Sequence, residues 1–144
     1  MKTTEVLLVD DNPADTDLTS EVLASIGRPS HIHSVINGAE AMGFLRREGR
    51  YAKVLRPDFV ILDLNLPGKD GRAVLSEVKS DPLLRQIPIA IFSTSEAPQD
   101  ILHSYELGAN CYVCKPGNLP DFISAMTSIG EFWFGLARLP RDEE

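Results

Sequence analysis

The stretch Phe59-Val60-Ile61-Leu62-Asp63-Leu64-Asn65-Leu66-Pro67 constrains the fold more than any other part of the chain. Four consecutive apolar residues, two of them β-branched, read as a short strand covered on both faces, the pattern of a parallel sheet. A charge inside such a run costs several kcal/mol unless it is paired or neutralised, yet the run ends in Asp63. Pro67 and Gly68 then turn the chain. Asp63 therefore belongs at the carboxyl end of a central parallel strand, the edge at which open α/β sheets bind their ligands.

The rest of the chain falls into the same unit. Val6 to Val9 is a second apolar run and ends in Asp10-Asp11. Asn12-Pro13 starts a helix, Asn as cap and Pro in the first turn. Its core face is Leu18, Val22, Leu23 and Ile26, and Gly27 closes it. Residues 31–36 alternate and read as an edge-like strand turned by Asn37-Gly38. A helix over 39–48 faces Met42 and Leu45 inward, and a basic irregular loop over 49–58 leads to the central strand. Gly68-Lys69-Asp70-Gly71 opens a helix with Val74, Leu75 and Val78 inward, stopped by Asp81-Pro82. A strand over 87–92 ends in Ser93-Thr94-Ser95, and a polar helix follows over 98–108. Cys111 to Cys114 is the fifth strand, ending in Lys115-Pro116, and the last helix runs from Asn118 to about Leu136. Five βα units predict an α/β fold. It is a doubly wound, flavodoxin-like parallel sheet of order 2-1-3-4-5 with right-handed crossovers and helices on both faces. Residues 1–137 form the domain and 138–144 a charged, frayed tail.

Composition narrows the function. A chain of 144 residues with 43% hydrophobic and 24% charged residues builds one core and not two. No apolar run reaches the length of a membrane span, and the N-terminus lacks the layout of a secretory signal, so the expected location is cytoplasmic. A net charge of −7 argues against a nucleic-acid surface and fits a carboxylate site that attracts a cation. Cys111 and Cys114 stand three apart on a strand and point to opposite faces, so they read as packed free thiols rather than a redox pair. His31 and His33 share a strand face, but no cysteine or carboxylate flanks them in sequence. A metal site is one reading of the pair; two partly exposed histidines on an edge strand is the favoured one.

Four strands end in chemistry-bearing side chains: Asp10 and Asp11, Asp63, Thr94, and Lys115. In the expected strand order the first and third strands are neighbours, so Asp10, Asp11 and Asp63 crowd together. Three such carboxylates repel, and one takes up a proton unless a cation neutralises them. An oxygen-only donor set suits a hard divalent ion, Mg²⁺ above all. A carboxylate nucleophile beside such a site can form an aspartyl phosphate.

These residues resemble the receiver domain of two-component response regulators over nearly the whole chain. The matching motifs are Asp10-Asp11, Asp63 with Asn65-Leu66-Pro67 and Asp70-Gly71, Thr94-Ser95-Glu96, Tyr112, and Lys115-Pro116. The resemblance implies that a sensor histidine kinase phosphorylates Asp63. It implies that Asp11, Asp63 and the Asn65 backbone carbonyl hold Mg²⁺, with Asp10 supporting the ion through water. It further implies that Lys115 contacts the phosphoryl group, that Thr94 and Tyr112 form the switch, and that the Lys115-Pro116 bond is cis. The loop into Arg56-Pro57, the run Leu64 to Arg72, the run Ser104-Tyr105-Glu106-Leu107 and the segment Glu131-Phe132-Trp133 resemble single-domain regulators paired with bacterial phytochromes.

Two functions follow from the same residues. One is a stand-alone response regulator, a phosphoacceptor rather than a turnover enzyme. Too few residues remain after the last helix for a DNA-binding module, so its output is expected to be another protein. The other is a Mg²⁺-dependent phosphatase working through an aspartyl phosphate. That enzyme needs an acid two residues after the nucleophile, where this chain has Asn65, and a cap domain, which the chain lacks. In the last helix Phe122, Met126, Ile129 and Trp133 make the core face, while Phe132 and Leu136 point elsewhere. This excess of apolar residues suggests a homodimer through the last helix and the fifth strand.

Overall fold

The computed structural model describes residues 2–141. Five parallel strands form one sheet in the order β2-β1-β3-β4-β5, as expected from the five βα units. They are β1 (Thr4–Val9), β2 (Ser30–Val35), β3 (Phe59–Leu62), β4 (Ile89–Ser93) and β5 (Cys111–Cys114). The helices are α1 (Pro13–Ala24), α2 (Gly38–Arg46), α3 (Gly71–Ser80), α4 (Pro98–Leu107) and α5 (Leu119–Gly130). None of the described helices is long and apolar enough to cross a membrane.

Side-chain alternation divides the core into two layers. Leu7, Val9, Val60, Leu62, Ile89 and Ile91 face one side of the sheet, against residues of α2 and α3. Val6, Leu8, Phe59, Ile61, Ala90 and Phe92 face the other, against α1 and α5. Both faces are covered, which is why the central strands carry unbroken apolar runs. Each fully buried Leu, Ile or Phe contributes roughly 1.5–3 kcal/mol relative to its exposed state.

The helix starts follow local chemistry. Asn12, Asn37, Asp70 and Asn118 each accept a backbone N–H through the side chain at an N-cap. Ends shift from the sequence expectation. α1 stops at Ala24 with Ser25 as its cap, and Gly27 lies beyond it with a left-handed φ of 84°. α2 stops two residues early, at Arg46, where Arg47 takes a left-handed conformation. β4 starts at Ile89, since Pro88 has no N–H to give the ladder.

The last helix differs most. After α5 the chain widens into a π-helical turn over Glu131–Leu136. The wider winding turns Phe134 as well as Trp133 onto the sheet. The Trp133 ring stacks on Phe59 at 4.9 Å, and Phe134 meets the same ring edge-on at 6.3 Å. Phe134 is therefore a core residue that a 3.6-residue period does not disclose. Phe132 and Leu136 are exposed, as expected.

Two further expectations are corrected. There is no cis peptide bond among the described residues, so Lys115-Pro116 is trans, the isomer that X–Pro bonds favour by about 0.5–1 kcal/mol. Residues 138–141 are held rather than frayed: Leu139 packs on the α1/α5 layer, and Arg141 donates to Thr4 Oγ1 at 2.8 Å. The acidic end of the expected tail, 142–144, lies outside the described residues. Both cysteines are free, as expected.

Candidate functional site

The sheet's register brings the strand-end residues to one edge. Val9 pairs with Leu62, Leu62 with Ile91, and Ser93 with Cys114. The ladder continues one residue past the strands: the Asp63 N–H donates to the Val9 carbonyl at 2.9 Å and the Lys115 N–H to the Ser93 carbonyl at 2.7 Å. Asp63 and Lys115 are thus placed by backbone bonds rather than by a loose loop. Gly71 fixes the other side of Asp63. Its N–H donates to the Leu64 carbonyl at 2.9 Å. A Cβ on Gly71 would fall on the Asp63 carbonyl oxygen and lie 2.7 Å from Leu64 Cα, so only glycine lets α3 start there.

Asp10, Asp11 and Asp63 each present a carboxylate oxygen, and these oxygens lie within 4.8 Å of one another. Asp10 and Asp63 are nearly buried, while Asp11 is exposed and leaves the cluster open to solvent. The Lys115 ammonium sits among them, 4% exposed. It donates to Asp10 Oδ2 at 2.7 Å, Asp15 Oδ2 at 2.9 Å and Asp63 Oδ2 at 3.0 Å. The second oxygens of two acids are also held. Asp10 Oδ1 accepts the Asn12 N–H at 2.9 Å, and Asp63 Oδ1 accepts the Asn65 N–H at 3.3 Å.

Burial pushes the Asp10 carboxyl above its usual range, against the Lys115 and Asn12 hydrogen bonds that pull it down. Burial also works against the Lys115 charge, but the bonds to Asp10 and Asp15 and the Asp63 charge outweigh it and hold the ammonium well above its ordinary pKa. Three carboxylates therefore share one ammonium, with the Asp11 carboxylate beside them. The donor set is all oxygen, crowded and under-neutralised, which fits a hard divalent cation and excludes a soft one.

Asp15 is the member that the sequence did not give. It lies in the first turn of α1, where its N–H is capped by Asn12 Oδ1 at 3.2 Å. Its position four residues after Asp11, in the first turn of the helix that follows the acidic strand end, is the available signal.

The expected switch residues lie at the same edge. Thr94 follows β4 directly and is exposed, whereas Ser93 is buried in the strand. Tyr112 is half-buried, and its hydroxyl donates to the Ser95 carbonyl at 2.9 Å. Burial raises its phenol above the usual range despite that bond. The Ser95 hydroxyl in turn donates to Asp100 Oδ2 at 2.6 Å, and Arg72 donates to Asp100 Oδ1 at 2.9 Å. Asn65 is exposed beside Asp63.

Comparison with known proteins agrees with this arrangement. Residues 6–127 match the family model described as the response regulator receiver domain. The chain belongs to that family. It is 42% identical over 135 residues to the response regulator Rcp1 of Synechocystis sp., an alignment covering 94% of this chain and 92% of that protein. Among solved structures, the phosphorylated cyanobacterial phytochrome response regulator RcpA superposes with a TM-score of 0.94 at 48% identity, covering 97% of this chain and all of that one. The Mn²⁺-bound form of Rcp1 superposes with a TM-score of 0.93 at 40% identity, covering 96% and 99%.

Proposed function

We propose that this protein is a response regulator that takes a phosphoryl group on Asp63 from a sensor histidine kinase, with a bacterial phytochrome as the kinase class. The single observation that carries the reading is the Asp63 carboxylate held against Lys115 inside the acidic cluster. The phytochrome pairing rests on the relatives described above. A cytoplasmic location, phosphorylation-dependent contact with a downstream protein and self-association through α5 and β5 belong to the same reading.

An Asp63 carboxylate oxygen attacks the phosphorus of a phosphohistidine. The new P–O bond forms as the P–N bond breaks, and the electron pair leaves with the donor imidazole. Asp63 exchanges one negative charge for nearly two and gains strong acceptor oxygens. Little covalent chemistry is asked of the protein; alignment and charge neutralisation carry the transfer. Lys115 supplies one positive charge at the site and moves from carboxylate to phosphoryl oxygens. Asp11, Asp63 and the Asn65 carbonyl would hold Mg²⁺, with Asp10 behind it, and the ion would offset the remaining negative charge. Thr94 turns its hydroxyl toward the phosphoryl group, which pulls the segment bonded to Tyr112 and Asp100. This is a two-state element biased by a local charge.

The phosphatase reading has no support of its own at the site, because Asn65 cannot act as the second acid. Incubation with acetyl phosphate and Mg²⁺ tests the proposal. The intact protein should gain the mass of one phosphoryl group, stable in acid and labile in base, and Asp63→Asn should gain none. Uptake by Asp63→Asn equal to that of the wild type overturns it.

A further inference from the structure

His31 and His33 lack a carboxylate neighbour in sequence, but the sheet supplies one. β1 and β2 run parallel, with Glu5 opposite His31 and Leu7 opposite His33. The two histidines share a strand face, and Glu5 reaches both. Glu5 Oε2 lies 2.8 Å from His31 Nδ1, and Glu5 Oε1 lies 3.3 Å from His33 Nε2. A nearly buried carboxylate thus carries one imidazole on each oxygen. Its backbone is fixed on the other edge, where the Glu5 N–H donates to Asp58 Oδ2 at 2.8 Å and the Asp58 N–H to the Glu5 carbonyl at 2.7 Å. The Phe44 ring, 5.3 Å from that of His33, walls one side.

We propose that Glu5, His31 and His33 form a binding site for a borderline divalent transition metal, Zn²⁺ foremost. Two imidazoles and one carboxylate are the three-ligand set that leaves a fourth tetrahedral position for water. This donor chemistry differs from the all-oxygen cluster, which lies at the opposite end of β1, roughly 15–20 Å away at ~3.3 Å per strand residue. The two rings stand 6.5 Å apart at 76°. As they stand, Glu5, His31 and His33 do not bring one ligand atom each within 4.8 Å of one another, so both rings must turn toward Glu5 to share one ion through Zn–N bonds of about 2.0–2.1 Å. The His31 and His33 side chains are 65% and 42% exposed, so they can turn without moving the backbone, while the ligand that cannot move is already in place between them. Bound metal would tie the edge strand β2 to β1 through side chains as well as through the ladder.

Co²⁺ is the probe, added to the full chain in excess Mg²⁺. Four-coordinate Co²⁺ absorbs visible light intensely, and six-coordinate oxygen-bound Co²⁺ only weakly. The wild type should develop the intense bands at one ion per chain, and Zn²⁺ should abolish them. Glu5→Gln and His33→Gln should each weaken Co²⁺ binding ten-fold or more. His31→Gln, at an exposed position that folding does not need, should do the same. Circular dichroism checks that each variant is folded. No intense bands in the wild type, or bands unchanged in both histidine variants, overturns the proposal. Bands lost in Asp63→Asn and kept in the histidine variants assign the ion to the acidic cluster and also overturn it.

Discussion

Lys115 holds three like charges together at the site, and its removal separates two effects. Taking one partner out of a buried ion pair costs about 3–5 kcal/mol, because the remaining charge is left uncompensated. Here the remaining charges are Asp10, Asp15 and Asp63, and Asp10 and Asp63 belong to the acidic cluster that a divalent ion would neutralise. Lys115→Met should therefore melt several degrees lower without Mg²⁺ and recover much of the loss with it, by mass action of an ion that binds only the folded state. Its Mn²⁺ affinity should equal or exceed that of the wild type, while phosphoryl uptake from acetyl phosphate falls by about 10²-fold or more. Loss of both binding and uptake would contradict this division. Asp10 gives a pH test. Its folded pKa is raised by burial, so the folded state holds the proton more tightly than the unfolded chain does. Stability then falls as pH rises from the ordinary carboxylate value through the raised one. Asp10→Asn cannot ionise, and in the absence of divalent ions its stability relative to the wild type should be greater near about pH 7 than near about pH 4, roughly the ordinary carboxylate value. Urea unfolding at the two pH values measures it.

At the scale of elements, the segment after β4 is tied to three neighbours. Tyr112 on β5 reaches the Ser95 carbonyl, Asp100 on α4 takes the Ser95 hydroxyl, and Arg72 on α3 takes Asp100 while its other nitrogen donates to Asp70 at 3.1–3.3 Å. The Asp100 carboxyl is held below its usual range by the Ser95 and Arg72 bonds, so these ties persist through neutral pH. Movement of Thr94 must strain or break them. Hydrogen exchange at residues 94–97, with and without acetyl phosphate, reads that coupling. The wild type should change protection on phosphorylation. Thr94→Ala should accept the phosphoryl group and show no change, and Asp100→Ala should exchange faster before phosphorylation and change less after it. A full response in Thr94→Ala would reject the switch. The strand ends were legible in the sequence because a buried parallel strand excludes charge, so Asp10, Asp63 and Lys115 stood out against apolar runs. Other features were hidden for physical reasons. Asp15 sits on a helix whose polar face is full of acids. Glu5 and Asp100 act across 26 and 28 residues of sequence, on partners that only the tertiary fold supplies. Phe134 is brought to the core by a π-helical turn that no 3.6-residue period describes.

For the whole molecule, the question is what covers the apolar residues that the core does not use. Ile123 and Phe132 are exposed along α5 and its continuation, Leu136 is 75% exposed at the end, and Leu102 and Tyr105 are exposed on α4. Cys111 and Val113 on β5 are only half-covered. None of these side chains belongs to the acidic cluster, so association through them leaves Asp11 and Asp63 accessible. A chain of net charge −7 repels its own copies at long range, and contact needs apolar area to overcome this, as α5 and β5 provide. A two-fold arrangement uses the same patch on both copies and closes without leaving a free face. Sedimentation should show a concentration-dependent monomer–dimer equilibrium, and Phe132→Ser with Leu136→Ser should shift it to monomer. Both positions are exposed, so the double variant should keep the wild-type melting temperature within a few degrees and accept a phosphoryl group at the wild-type rate. A wild type that stays monomeric at high concentration, with and without phosphoryl donor, would mean that α5 meets another protein rather than a second copy of this chain.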